Sequence, residues 1–323
     1  MYNSLEQHCK RFHLYVVAFD DHCFEALSKL NLAHATIIKL EDFENENLLA
    51  VKGGRTAGEY CWTCASSSIK YCIETYNLDH CTYVDADLLF FADPQPLYDE
   101  MGDKSVLITK HRYTPCYDQS ETSGVYCVQY MTFKNNAEGM EVLNWWVNAC
   151  LEWCFARMED NKFGDQKYLD DWTSRFSCVH VLKHLGGGVA PWNVQQYAFK
   201  KRRNKVLGRE FFSNNKFELI FYHYHAFIYS WNDSFKLTDE LYALNRNQVK
   251  QIYQPYVHAL SRAEDMVESL NENIVAYKRS EQGVQIKKVI GRSVMFFLRG
   301  FYKHFYSRRF FQHGVLNQFI GMI

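Results

Sequence analysis

The chain has 323 residues, 47% of them apolar, enough to bury a full core in one large domain with an appendage. Its 36 basic and 37 acidic residues nearly cancel, for a formal net charge of −1, which excludes a chain-wide nucleic-acid footprint and leaves any electrostatic specialisation local. Met1 to Lys10 is polar, without an apolar run behind a basic start, and no stretch of about 18 apolar residues is free of charge, so a cytoplasmic protein with no membrane span is expected.

His13 to Phe19 is a short apolar run closed by Asp20 and Asp21, the pattern of a buried strand ending at a polar turn. Glu59 to Tyr76 has apolar positions at helical spacing and ends at Asn77. Cys61 and Cys64 form a C-x-x-C pair on it; with no second pair at zinc spacing, packing on a helix is the plainer reading. The eleven cysteines, odd in number and without a framework spacing, fit reduced thiols. Strands are expected at Cys81 to Asp85, Val106 to Thr109 and Gly124 to Phe133, and a long helix over Ala137 to Met158. The alternation argues for an α/β sheet with helices on both faces.

Gly186, Gly187 and Gly188 then interrupt the chain ahead of Pro191 and Trp192. Glycines let backbone N–H groups approach a ligand, and a tryptophan offers a flat face to a sugar ring; a plain loop is the alternative. A further strand, Phe217 to Tyr222, ends in His223. From about Asp239 the chain turns charged and helical, which divides it into a domain over 1–238 and an appendage over 239–323.

From Gln282 onward there is no Asp or Glu, while seven Lys and Arg alternate with Phe, Tyr and Met. A basic aromatic helix over 284–313 suits the headgroup layer of an anionic membrane, which would make the protein peripheral on the inner face of the cytoplasmic membrane. A helix packing its Phe face on the domain is the equal alternative.

Asp85-Ala86-Asp87 carries the chemistry. Two carboxylates one residue apart at a strand end both reach a single hard cation, Mn²⁺ or Mg²⁺, and leave positions open for phosphate oxygens. The triplet alone is weak; its place after C-T-Y-V and before L-L-F-F and Asp93-Pro94 strengthens it. The segment Y-V-D-A-D-L-L-F-F-A-D-P resembles the metal-site segment of GT-A glycosyltransferases, especially family 8, the glycogenin and bacterial lipopolysaccharide galactosyltransferase group. Thr122 to Tyr126, with Ser123 and Gly124, resembles the strand lining that family's acceptor side. Gly164-Asp165-Gln166 resembles its D-Q pair near the anomeric carbon. His223 to Trp231 resembles its H-F-x-G-x-x-K-P-W segment, whose first His completes the metal site. The likeness spans roughly residues 10 to 235. Ala226 stands where Gly is usual, Tyr229 where a phosphate-binding Lys is usual, Ser230 where Pro is usual, and Lys167 where a second acidic residue is usual.

The resemblance implies a GT-A, Rossmann-like fold and transfer of a sugar from a nucleotide-diphosphate donor, UDP-sugars first, to a glycan or lipid-linked acceptor in surface polysaccharide synthesis, with retention at the anomeric carbon. Asp85, Asp87 and His223 would hold the metal, with His225 as the neighbour of His223 on the same face. Asp85, Asp20 and Thr63 would serve the donor nucleotide, Asp165 and Gln166 the reaction centre, and Ser123, Gly124, Gly187, Gly188 and Trp192 the sugar and acceptor. Lys52, Arg55 and Lys236 are the candidates for the missing phosphate cation. A phosphohydrolase of the haloacid-dehalogenase type also uses D-x-D at a strand end, but Leu89 stands where that class wants Thr or Val. A non-catalytic membrane-associated subunit is the third reading.

Overall fold

A computed structural model describes residues 1–230, 233–270 and 304–313. The protein is mixed α/β. Its strands are β1 (Leu14–Ala18), β2 (Ala35–Lys39), β3 (His80–Val84), β4 (Leu88–Phe90), β5 (Val106–Lys110), β6 (Tyr126–Lys134), β7 (Val179–Val181), β8 (Tyr197–Arg202), β9 (Lys205–Glu210), β10 (Lys216–Glu218), β11 (Phe221–His223), β12 (Ile228–Ser230), β13 (Ser234–Lys236) and β14 (Phe305–Ser307). Among the described residues they form several small sheets: β1 beside β2, β4 beside β11, β10-β9-β8, β12-β13-β14, and the four-stranded β3-β6-β5-β7. In the last, β6 runs antiparallel to both β3 and β5, and β7 is parallel to β5.

The chain folds into two compact units, residues Met1–Val189 with Phe217–His223, and Ala190–Lys216 with the described residues from Tyr224 on. The chain passes between the units at 189/190, 216/217 and 223/224. β11 belongs to the first unit because it pairs with β4, and residues 224–238 belong to the second, where β13 pairs with β14.

In the first unit the Ala57–Tyr76 helix starts on a capping box, Thr56 with Glu59, and stops at Asn77 in the left-handed conformation, φ 49°. It buries Tyr60, Cys64, Ile69, Cys72 and Ile73. The second long helix, Ala137–Glu152, is capped by Asn136, whose side chain accepts from the Gly139 amide. It ends six residues short of the expected Met158, because its last carbonyls find side-chain partners and need no further turn. Tyr168 Oη donates to the carbonyls of Ala149 and Trp153, and Arg55 to that of Leu151. Trp146 and Trp172 cross edge to face at 5.8 Å within a core shared with Phe133, Met131 and Ile108. Each such fully buried side chain contributes about 1.5–3 kcal/mol.

In the second unit, helical structure runs from Arg246 to Glu268 through a π-helical turn at Val249–Tyr253. Of the basic aromatic tail, residues 304–313 are described and the remainder lies outside the described residues. The described piece packs inward: Phe311 is buried against Phe235, and Arg308 binds Asp233 (2.7 Å) and Glu264 (2.8 Å). All eleven cysteines are free. No helix among the described residues is long and apolar enough to cross a membrane.

Candidate metal centre

β3 ends at Val84, yet the Asp85 amide still donates to the Gln129 carbonyl of β6 at 3.1 Å, so the first carboxylate is anchored to the sheet. The chain turns at Ala86 and re-enters pairing as β4. In the β4–β11 register His223 sits opposite Leu88, the residue after Asp87, and the His223 amide donates to the Val189 carbonyl at 3.0 Å. The apolar residues Leu88, Leu89, Phe90, Phe221 and Tyr222 are buried, which fixes this register and with it the meeting of histidine and carboxylates.

The ligand atoms of Asp85, Asp87 and His223 lie within 4.8 Å of one another. His223 Nε2 is 3.1 Å from Asp87 Oδ1 and 3.7 Å from Asp85 Oδ2. The His223 side chain is 8% exposed and that of Asp87 40%, so the group is walled on one side and open on the other. Two carboxylates and an imidazole form a donor set that suits a divalent cation with coordination positions left toward solvent. The ring is oriented from behind, with Nδ1 3.0 Å from Gln129 Oε1, a contact that makes Nδ1 the donor and leaves Nε2 for the cation. Tyr83 Oη donates to Asp85 Oδ1 at 2.9 Å.

Gln129 thus acts as a positioning residue. Gln129→Leu is expected to weaken Mn²⁺ binding about 10- to 100-fold while Gln129→Glu, which keeps the acceptor, retains most of it, as read by isothermal titration.

Burial alone would lower the His223 pKa, but the carboxylates of Asp87 and Asp85 and the nearby Cys127 together raise it well above its ordinary 6.5. Burial first, then repulsion from Asp87, raises Asp85. A cation must displace the His223 proton. Its apparent affinity is therefore expected to rise with pH from neutrality until the imidazole is neutral, with proton release visible as a buffer-dependent binding enthalpy. Affinity that is flat across this range would contradict a histidine ligand.

Asp165 is buried, its carboxyl pushed well above the usual range by burial first, then by Cys154 and Asp85. Trp146 Nε1 holds its carbonyl at 2.9 Å. Gln166 Nε2 donates to the Ser123 carbonyl at 2.7 Å. The loop around Ser123 and Gly124 is clamped to this segment again by two residues the sequence pattern had not assigned that role: Lys167 Nζ reaches the Ser120 carbonyl (3.1 Å) and Asp170 (2.8 Å), and Asp170 Oδ1 takes the Val125 amide (2.7 Å). Lys167, where an acidic residue is usual, is the buried half of this pair, and Asp170 is half-buried. Gly124 is at φ +93° beside Asp170, where a side chain is strained.

Other expected site residues sit elsewhere. Asp20 is exposed and caps the Asp21–Lys29 helix by accepting from the Cys23 amide at 2.7 Å. Thr63 is fully buried; its hydroxyl donates to the Glu59 carbonyl and accepts from Arg55, so it serves the helix and not a nucleotide. Gly187 and Gly188 are buried, and a Cβ on them would meet Leu182 and Leu97, or Thr109, at 2.6 to 3.1 Å, so close packing accounts for these glycines. Trp192 is 4% exposed and stands edge-on to His225 at 5.6 Å within the second unit, so its face is not offered to a sugar. His225 is itself exposed in that unit and outside the metal group. Lys52 and Lys236 pair with Glu44 (2.6 Å) and Glu240 (2.9 Å), and Arg55 is held by Thr63 and Leu151. Ala226 adopts φ 60°, a conformation glycine favours, so the backbone keeps the shape expected of a glycine there. Tyr229 packs against Phe227 and Phe235, and Ser230 pairs with Ser234.

No family profile matches the chain. It is 28% identical over 274 residues to the uncharacterized protein YfnF of Bacillus subtilis (strain 168), covering 80% of this chain and 84% of that protein. To the uncharacterized protein YfnD of the same organism it is 30% identical over 273 residues, 83% of this chain and 86% of that protein. A likeness of that extent, running through the strands that build the metal centre, places the chain in the family of YfnD.

Proposed function

We propose that the protein is a metal-dependent glycosyltransferase of GT-A type that moves a sugar from a nucleotide-diphosphate donor, UDP-sugars first, to a glycan or lipid-linked acceptor. The observation that carries this reading is the meeting of Asp85 and Asp87 with His223, which lies far along the chain, at the end of paired strands, with the histidine oriented by Gln129. The order of segments supports it: D-x-D, then the Ser123-Gly124 strand, then Asp165-Gln166, then His223.

A divalent cation bound there supplies a Lewis acid for the donor diphosphate, easing departure of the nucleoside diphosphate. Asp85 and Asp87 would give it two oxygens and His223 a nitrogen, with Gln129 orienting the imidazole from behind. Ser123 and Gln166, joined by their hydrogen bond, border the acceptor side. Asp165 is buried beside this centre, and burial raises its carboxyl above the usual carboxylate range. The resemblance to family 8 implies retention of anomeric configuration, a route that needs no dedicated base. Asp20, exposed at the end of β1, is the remaining candidate for the nucleotide.

A thermal-shift screen against UDP-, GDP-, dTDP- and CMP-sugars, with and without Mn²⁺, tests the reading. Stabilisation by one nucleotide class that needs the metal is expected, about 2.7 kcal/mol at a ligand concentration of 100 Kd. No nucleotide-dependent shift, with hydrolysis of a phosphate monoester instead, would replace it with the phosphohydrolase; no response to metal or nucleotide would leave the non-catalytic subunit.

A further inference from the structure

Residues 200–216 hold seven basic side chains, Lys200, Lys201, Arg202, Arg203, Lys205, Arg209 and Lys216, against one acidic side chain, Glu210, in a chain whose net charge is −1. All seven basic residues are exposed. The antiparallel register of β8 and β9 pairs Ala198 with Arg209, Lys200 with Leu207 and Arg202 with Lys205, and Tyr197, Phe199 and Val206 are buried. Alternation therefore puts Lys200, Arg202, Lys205 and Arg209 together on the outer face of the ribbon. Lys200, Lys201, Arg202, Arg203 and Lys216 make no ion pair among the described residues.

The turn between β9 and β10 carries Phe211 and Phe212, 56% and 85% exposed. The turn is ordered, with the Asn214 amide on the Glu210 carbonyl (3.1 Å), the Glu210 amide on the Asn215 carbonyl (2.9 Å), and the Ser213 hydroxyl on Glu210. A single exposed phenylalanine is unremarkable, but two adjacent ones on a held turn form an apolar tip at one end of β9, beside Arg209 and Lys216, with Lys200, Arg202 and Lys205 toward the other end of the same ribbon. Lysines on an edge strand also discourage sheet extension, which accounts for Lys200 and Lys201 on β8. It covers Lys216 on β10, the other edge strand, as well, but not Arg209 on the central β9, or the two rings.

We propose that the β8–β9–β10 ribbon is a docking surface for an anionic phospholipid bilayer, with Lys200, Arg202 and Arg209 on the headgroups and Phe212 inserted at the headgroup–acyl boundary. Charge complementarity names the occupant. The ribbon spans about 20 Å along β8 and presents its cations across a face instead of a groove, which fits a plane of headgroups better than a strand of phosphates. The sequence carries a second basic aromatic stretch from Gln282 on. The ribbon belongs to the second unit and its role does not depend on the metal centre.

The test is flotation of the full chain with phosphatidylcholine vesicles, with and without phosphatidylglycerol, at low and high salt. Binding is expected only with the anionic lipid and is expected to fall with salt. Replacing three exposed cations, Lys200→Gln, Arg202→Gln and Arg209→Gln together, is expected to weaken partitioning about 100-fold, and Phe212→Ser alone several-fold, with unchanged thermal unfolding in both. Wild-type binding that ignores lipid charge, or equal flotation of wild type and both variants, would overturn the proposal. So would absent flotation with binding of a short oligonucleotide that the triple variant loses.

Discussion

Asp87→Ala is expected to abolish the Mn²⁺-dependent thermal shift with nucleotide sugar and to lower sugar transfer by about 10³-fold or more, because it removes the carboxylate nearest His223 Nε2. The same change is expected to leave the fold intact: Asp87 is the most exposed of the three side chains, and it stands in a turn outside the β4–β11 pairing. Removing it also takes away the nearest carboxylate that holds the His223 proton. Its imidazole pKa should therefore drop toward the ordinary value, a shift that NMR titration of the ring reads without any substrate. Full metal-dependent binding in Asp87→Ala would place the cation elsewhere.

Gly186→Ala is expected to cost about 3 kcal/mol, roughly 6–10 °C in Tm, although glycine-to-alanine is usually mild. A Cβ at 186 would lie 1.9 Å from the Glu218 carbonyl oxygen, which is backbone and has no side chain to swing away. The Gly186 carbonyl takes the amides of Ile220 (2.9 Å) and Phe221 (3.2 Å), so a push there moves the strand that carries His223. Mn²⁺ affinity is expected to fall along with stability. Gly58→Ala is the control: nothing lies within 4 Å of its Cβ position, in the first turn of the Ala57–Tyr76 helix, and it should not lower Tm. Equal Tm values for the two variants would refute the close approach of residues 186 and 218.

Short-range chemistry was readable in the chain. The Ala57–Tyr76 helix announces itself through Thr56, Glu59 and Asn77, and β1 and β3 through apolar runs closed by aspartates. Asp85 and Asp87 declare themselves by type and spacing, and His223 by its resemblance to a known segment. What escaped depends on partners far apart in sequence. Gln129 meets His223 across 94 residues, and its one advance signal is an amide in an otherwise apolar strand, V-Y-C-V-Q-Y-M. The early end of the Ala137–Glu152 helix depends on Tyr168 and Arg55, which no local pattern connects to it. The glycine run was open to a ligand-binding reading because sequence cannot tell close approach to a ligand from close approach to Glu218, Leu97 and Thr109. Thr63 and Trp192 have the right chemistry for a site, but burial commits each to packing.

Pulsed electron paramagnetic resonance of Mn²⁺ bound to the full chain, with and without UDP, is the most direct measurement. The account predicts one bound Mn²⁺ with a nitrogen coupling from His223 that His223→Ala removes, and a phosphorus coupling that appears when UDP is added. Bound Mn²⁺ without the nitrogen coupling, or with no phosphorus coupling at saturating UDP, would contradict a cation held by Asp85, Asp87 and His223 for a nucleotide diphosphate.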